Sequence, residues 1–216
     1  MNKLEIKQGD KKQVYHLPLS WGEVSIKQYQ DLMMLIDNEK NELDTKIRTI
    51  AILTGCDLSL LSKASVANLN KVHKRLGQLT AKLPSKTFRR VIEIEGVEYG
   101  FIPDMNDLTF GEFVDIDTWL QSGYANLIDI LTVLYRPVLK RKGEKYNIAE
   151  YEASSRVERA KVFSRSMSVD SVYGAMVFFY TIANKHIETT LSSLEMQKKK
   201  RSSTAQIEKK RTAKAP

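Results

Sequence analysis

The feature that most restricts how this 216-residue chain can fold is a supersecondary unit written twice: a strand pair, a proline, then a capped helix opening an apolar helical run. In the first copy Leu4–Ile6 pairs with Val14–Leu17, followed by Pro18 and the helix start Ser25-Ile26-Lys27-Gln28. In the second, Val91–Ile94 pairs with Val97–Phe101, followed by Pro103 and Thr109-Phe110-Gly111-Glu112. Repetition of a whole unit speaks about architecture and assembly and carries no chemistry of its own.

Both strand pairs read as hairpins. The first turns at Gln8-Gly9-Asp10-Lys11 and the second at Glu95-Gly96, where glycine supplies the positive φ of a tight turn. Alternation is clearer in the second, with Ile92, Ile94, Val97, Tyr99 and Phe101 spaced by charged or small residues. Ser25 with Gln28, and Thr109 with Glu112, have the spacing of a capping box, in which two side chains satisfy otherwise free backbone donors reciprocally. Beyond the caps, Ile26, Tyr29, Met33 and Ile36 form one apolar stripe; Phe110, Phe113 and Leu120 form another, interrupted by Asp117. A second helix follows in each copy, stopped by Gly55 in the first and by Pro137 in the second.

The copies then diverge. The first continues through Leu69, Val72, Leu76, Leu79 and Leu83, a seam on one helix. The second passes through a basic loop, Lys140 to Lys145, a short helix around Val157–Phe163, and a long helix from Val169 past Leu194. The expected fold is therefore α+β and predominantly helical. Two pseudo-repeated halves, residues 1–88 and 89–194, pack as one body, with a basic tail over residues 195–216.

Charge sharpens that division. The tail holds eight basic and two acidic residues, so +6 of the formal net charge of +8 lies there and +2 remains for residues 1–194. A segment so poor in apolar side chains reads as a solvated extension. The longest apolar stretch, Val172–Ala183, is shorter than the roughly 20 residues a bilayer of about 30 Å requires, so no membrane role is expected. The N-terminus lacks the apolar core of an export signal, and the single Cys56 forms no internal disulfide and suits a reducing cytoplasm.

Catalytic motifs are missing from the pattern. His16, His73 and His186 are scattered without partners at metal-ligand spacing. Asp115 and Asp117 point about 200° apart on a helix and cannot converge on one substrate. No phosphate loop, zinc spacing or nucleophile elbow occurs, so neither an enzyme nor a cofactor is expected. Partner-binding candidates are Phe178, Phe179 and Tyr180, three consecutive aromatics that one helix face cannot hide, together with Leu69 and Leu76 on the seam. Candidates for phosphate contact are Lys198, Lys199, Lys200, Arg201, Lys209, Lys210 and Arg211; no aromatics interleave with them to stack on bases.

The order Leu17-Pro18-Leu19-Ser20-Trp21-Gly22-Glu23-Val24-Ser25, Ile52-Leu53-Thr54-Gly55, Leu108-Thr109-Phe110-Gly111-Glu112-Phe113, Leu134-Tyr135-Arg136-Pro137 and Val177-Phe178-Phe179-Tyr180 resembles small proteins from the virion-morphogenesis region of tailed bacteriophages, notably those infecting Bacteroidetes. Size, helicity and the basic end are similar to the tail assembly chaperones. The resemblance implies a non-catalytic protein that holds the tape-measure protein in the host cytoplasm during tail assembly. Lys198-Lys199-Lys200 and Lys209-Lys210 lie where such genes often carry a frameshift site. Two other expectations stand beside it: a permanent virion subunit of the head-tail connector, neck or tail ring, with self-association; and a nucleic-acid-binding accessory protein acting through the tail.

Overall fold

The structure is a computed structural model, and it describes residues 3–8, 11–38 and 41–183. The fold is α+β and mainly helical, with two antiparallel sheets of two and four strands among the described residues. Two compact units are distinguished, residues 1–175 and 176–216. The first unit spans the junction at residue 88.

Strands β1 (Lys3–Gln8) and β2 (Lys11–His16) pair in register from Lys3 opposite His16 to Gln8 opposite Lys11. Period-two patterning buries Leu4 and Ile6 on one face and leaves Glu5 outside. The anticipated turn at Gly9-Asp10 lies outside the described residues. Helix α1 (Ile26–Asn38) then starts with the reciprocal cap: Ser25 N donates to Gln28 Oε1 at 2.9 Å, and Gln28 N to Ser25 Oγ at 3.2 Å. The Gln28 amide also donates to the Ile52 and Leu53 carbonyls near the end of the next helix, α2 (Glu42–Thr54). One side chain thus caps its own helix and helps fill the carbonyl end of its neighbour. Asn41 caps the start of α2, and Gly55, with φ of 69°, ends it in the left-handed conformation that glycine adopts without steric cost.

Beyond the short α3 (Leu58–Leu61), Ser65 caps α4 (Val66–Thr80), which buries Val72, Leu76 and Leu79. Leu83, expected on that seam, lies past the helix end and is exposed. Cys56, just past the end of α2, is buried, and burial pushes its thiol above the usual range. A thiol-specific reagent should therefore modify it slowly in the native protein and at once after unfolding; equal rates in both states would contradict this placement.

The second hairpin is β3 (Val91–Ile94) and β4 (Val97–Phe101). Both turn residues have positive φ, 51° at Glu95 and 79° at Gly96, the conformation whose twist matches a two-residue hairpin. Glutamate is disfavoured there, and Arg165 holds its carboxylate in place at 2.7 Å. Helix α5 (Phe110–Leu120) and helix α6 (Leu127–Leu134) follow.

After α6 the structure departs from expectation. Pro137 does not terminate the helix: α6 ends at Leu134 and the chain enters a strand directly, β5 (Tyr135–Lys142), with Pro137 opposite Tyr99. The anticipated basic loop is the end of a third hairpin, β5 with β6 (Lys145–Ile148), completing the order β3-β4-β5-β6. Its alternation is hidden in sequence because a bulge at Leu139 breaks the period between Val138 and Lys140. Gly100 makes room for this sheet, since a Cβ there would come 2.5 Å from the Tyr146 ring.

Helix α7 (Ala153–Ser166) is longer than expected because the polar ends flanking Val157–Phe163 continue the helix in water. Helix α8 occupies residues 169–183 within the described part. The starts of α1 and α8 are tied to each other: Ile26 N donates to the Met167 carbonyl at 2.8 Å and Val169 N to that of Val24 at 3.0 Å. The Trp21 indole donates to the Lys82 carbonyl at 2.7 Å, and Gln30 to that of Ala125 at 2.7 Å. The bonds of Ile26, Val169 and Gln30 join segments from both halves of the sequence inside one unit. In the second unit residues 176–183 are helical.

Candidate interaction surface on α5

The rotation of α5 about its axis decides which of its side chains face water. Its start is fixed by the second capping box: Thr109 N donates to Glu112 Oε2 at 2.7 Å, and Glu112 N to Thr109 Oγ1 at 3.3 Å. Glu112 is only 1 % exposed, and its Oε1 lies 2.9 Å from Nη1 of Arg136 on β5, itself buried. That approach is an ion pair without good hydrogen-bond direction, because Glu112 Oε1 and Arg136 Nε have no hydrogen-bond partner among the described residues. Burial lowers the Arg136 pKa and the neighbouring carboxylate raises it.

Two further contacts grip the same side of the helix. The Tyr151 hydroxyl donates to Asp115, and burial followed by that carboxylate pushes the phenol up to about 12. The Arg156 guanidinium stacks 4.7 Å from the Trp119 ring centre while pairing with Asp129. With Glu112, Asp115, Ile116 and Trp119 turned inward or to the flank, the opposite side faces solvent at the 3.6-residue period. Phe110 is 81 % exposed, Phe113 56 % and Val114 42 %. The expected stripe is therefore reversed at Phe110 and Phe113, while Leu120 is half-buried. A buried ion pair outweighs two phenylalanines in setting the helix face, because Glu112 could not leave Arg136 unpaired in the interior without large cost.

The segment that carries this aromatic face is acidic in sequence, and four of its carboxylates, Glu95, Glu98, Glu112 and Asp129, are matched by arginines. Residues 91–135 hold nine acidic residues and no lysine or arginine, in a chain of net charge +8. Asp107 and Asp117, at either end of the exposed face, are exposed and pair with no cation among the described residues. The signals were present in sequence: Asp117 interrupting the stripe, and the long stretch without a base. An apolar patch rimmed by one sign of charge is a surface for another macromolecule.

The five anticipated partner-binding side chains differ in exposure. Leu76 is fully buried and Phe179 is 3 % exposed, so both are core residues, while Leu69 is half-buried. Phe178 is exposed and Tyr180 half-buried. Three consecutive helical residues point about 100° apart, which explains the split. The candidate phosphate contacts Lys198, Lys199, Lys200, Arg201, Lys209, Lys210 and Arg211 lie outside the described residues, as does His186. His16 is exposed and meets Glu23 at 2.6 Å.

One open cleft of about 420 Å³ lies beside the start of α1, lined by Ser25, Lys27, Ser164, Arg165 and Ser168 among others. Its cations are already matched, Lys27 by Asp31 and Arg165 by Glu95. Among the described residues no group of His, Cys, Asp or Glu could hold a metal ion, and no helix is long and apolar enough to cross a membrane. Compared with known proteins, the chain matches no family model, no curated protein and no solved structure.

Proposed function

We infer that the chain is a tail assembly chaperone of a tailed bacteriophage, a non-catalytic protein that holds a helical segment of the tape-measure protein in the host cytoplasm until the tail tube forms. The observation that carries the binding part of this reading is the α5 face, where two phenylalanines stand in water on a helix anchored from behind. An amphipathic helix laid along such a face buries its own i, i+3 and i+4 side chains against them. The phage assignment is supported by the resemblance in motif order over residues 17–194.

Co-expression with the tape-measure protein should give a stable complex. Replacing both Phe110 and Phe113 by serine should weaken it by roughly 2–4 kcal/mol, since each exposed ring contributes about 1–2 kcal/mol when covered. Failure of the wild type to retain the tape-measure protein, together with its abundance in finished virions, would overturn the reading in favour of a permanent ring or neck subunit. Exposed apolar patches of opposite charge on one chain are the observation that favours that second reading.

A further inference from the structure

Two surfaces of the first unit place apolar side chains in water among charges of opposite sign. One is the α5 face, with Phe110, Phe113 and Val114 between Asp107 and Asp117. The other is the end of the β5–β6 hairpin. There the bulge leaves Leu139 outside the regular pairing, 70 % exposed, beside exposed Lys140, Arg141, Lys142 and Lys145. Bulges re-aim a side chain and bend a strand, and this one turns a leucine out to solvent. Arg141 is matched by Glu98 at 2.6 Å, whereas Lys140, Lys142 and Lys145 pair with no carboxylate among the described residues. Lys142 and Lys145 are also directly opposite one another in the register. Like charges so placed weaken a strand pair. The charge of the chain changes sign at Arg136: nine acidic residues and no base precede it over 91–135, and five bases with one acid occupy 136–145.

We propose that these surfaces meet between two copies of the chain, the hairpin end of one docking on the α5 face of the next. Leu139 then covers Phe110 and Phe113, while Lys140 and Lys142 neutralise Asp107 and Asp117. The contact is heterologous, using one patch of each kind per copy, so it generates rings or open chains according to the rotation between neighbours. It buries little area per contact and is therefore weak and exchangeable. The inference rests on these two surfaces alone and holds whether the protein is a chaperone or a ring subunit. If it is a chaperone, the client and the neighbouring copy compete for α5, which keeps the aromatic face covered until the client arrives.

Charge exchange tests this on the full-length protein. The association constant is measured by sedimentation over a concentration series for the wild type, for Asp107→Lys/Asp117→Lys and for Lys140→Glu/Lys142→Glu, with circular dichroism confirming that each is folded. Each double variant presents like charges on both surfaces and should associate at least about tenfold more weakly than the wild type. An equimolar mixture of the two, or all four substitutions on one chain, restores opposite charges and should return the constant to within roughly threefold of the wild-type value. A Leu139→Ser variant should weaken association without changing its salt dependence. A monomeric wild type overturns the proposal, as does association that neither reversal affects, or weakening that the mixture does not repair. Unaffected association would assign self-contact to another segment, while retention of the tape-measure protein is read separately by co-purification.

Discussion

Glu112→Ala is expected to destabilise the protein by about 3–5 kcal/mol, the range for leaving one member of a buried ion pair without its partner. Arg136 remains in the interior with its Nε already lacking a hydrogen-bond partner, and burial already disfavours its charge. The substitution also removes the carboxylate that accepts from the Thr109 N–H, a cap worth about 1 kcal/mol. Chemical denaturation gives the measurement. The companion variant Glu112→Leu/Arg136→Met should be markedly more stable than Glu112→Ala, because a well-packed apolar pair removes both desolvation costs. A loss below about 1 kcal/mol for Glu112→Ala would show that Arg136 is not dependent on it. Tape-measure binding provides a second readout. If the ion pair sets the rotation of α5, its loss frees the helix to turn Phe110 and Phe113 inward, and binding should fall at protein concentrations where the variant is still folded.

Gly174→Ala is expected to cost about 2–3 kcal/mol, opposite in sign to the usual effect of alanine in a helix. Gly174 lies in α8, where alanine ordinarily gains about 1 kcal/mol over glycine. Here a Cβ would run into the Thr87 carbonyl and come 2.7 Å from that of Lys86. Those are backbone atoms, so no rotamer change relieves the clash. The strand of chain between α4 and β3 crosses close over the start of α8, and Asp170 also accepts from Ser85 N at 3.0 Å. Gly77 is the control, a helical glycine in α4 with no atom within 4 Å of where its Cβ would be. Gly77→Ala should be neutral or stabilising by up to about 1 kcal/mol. Equal and small effects at the two sites would mean that the crossing at Thr87 is looser than described.

Local rules were legible in the residues. The second hairpin turn and both capping boxes form as read, because each is completed by atoms within three residues and needs no knowledge of the rest of the chain. Gly55 ends α2 as expected for the same reason. Periodicity identified helices α1, α4 and α8 and the α+β class, since a 3.6-residue apolar period marks a helix whichever side of it is finally covered.

Three features could not be read locally. The outward face of α5 depends on Arg136, which comes from a different element 24 positions away, so Phe110 and Phe113 alone point to an inward stripe that the pairing of Glu112 overrides. The strand character at residues 140–142 and at Lys145 comes from β5 pairing with β6 next to β4, and the bulge at Leu139 breaks the alternation that marks a strand in sequence. The burial of Leu76 and Phe179 depends on neighbours that sequence order does not name. By itself, then, the sequence determined which segments are helix or strand where caps, turns and periods act within a few residues, and it determined the sign of charge along the chain. Only the tertiary structure decided which side of each element meets water, because a buried charge must be placed beside its counter-charge. Here that requirement turns two phenylalanines outward and puts the candidate surface on α5.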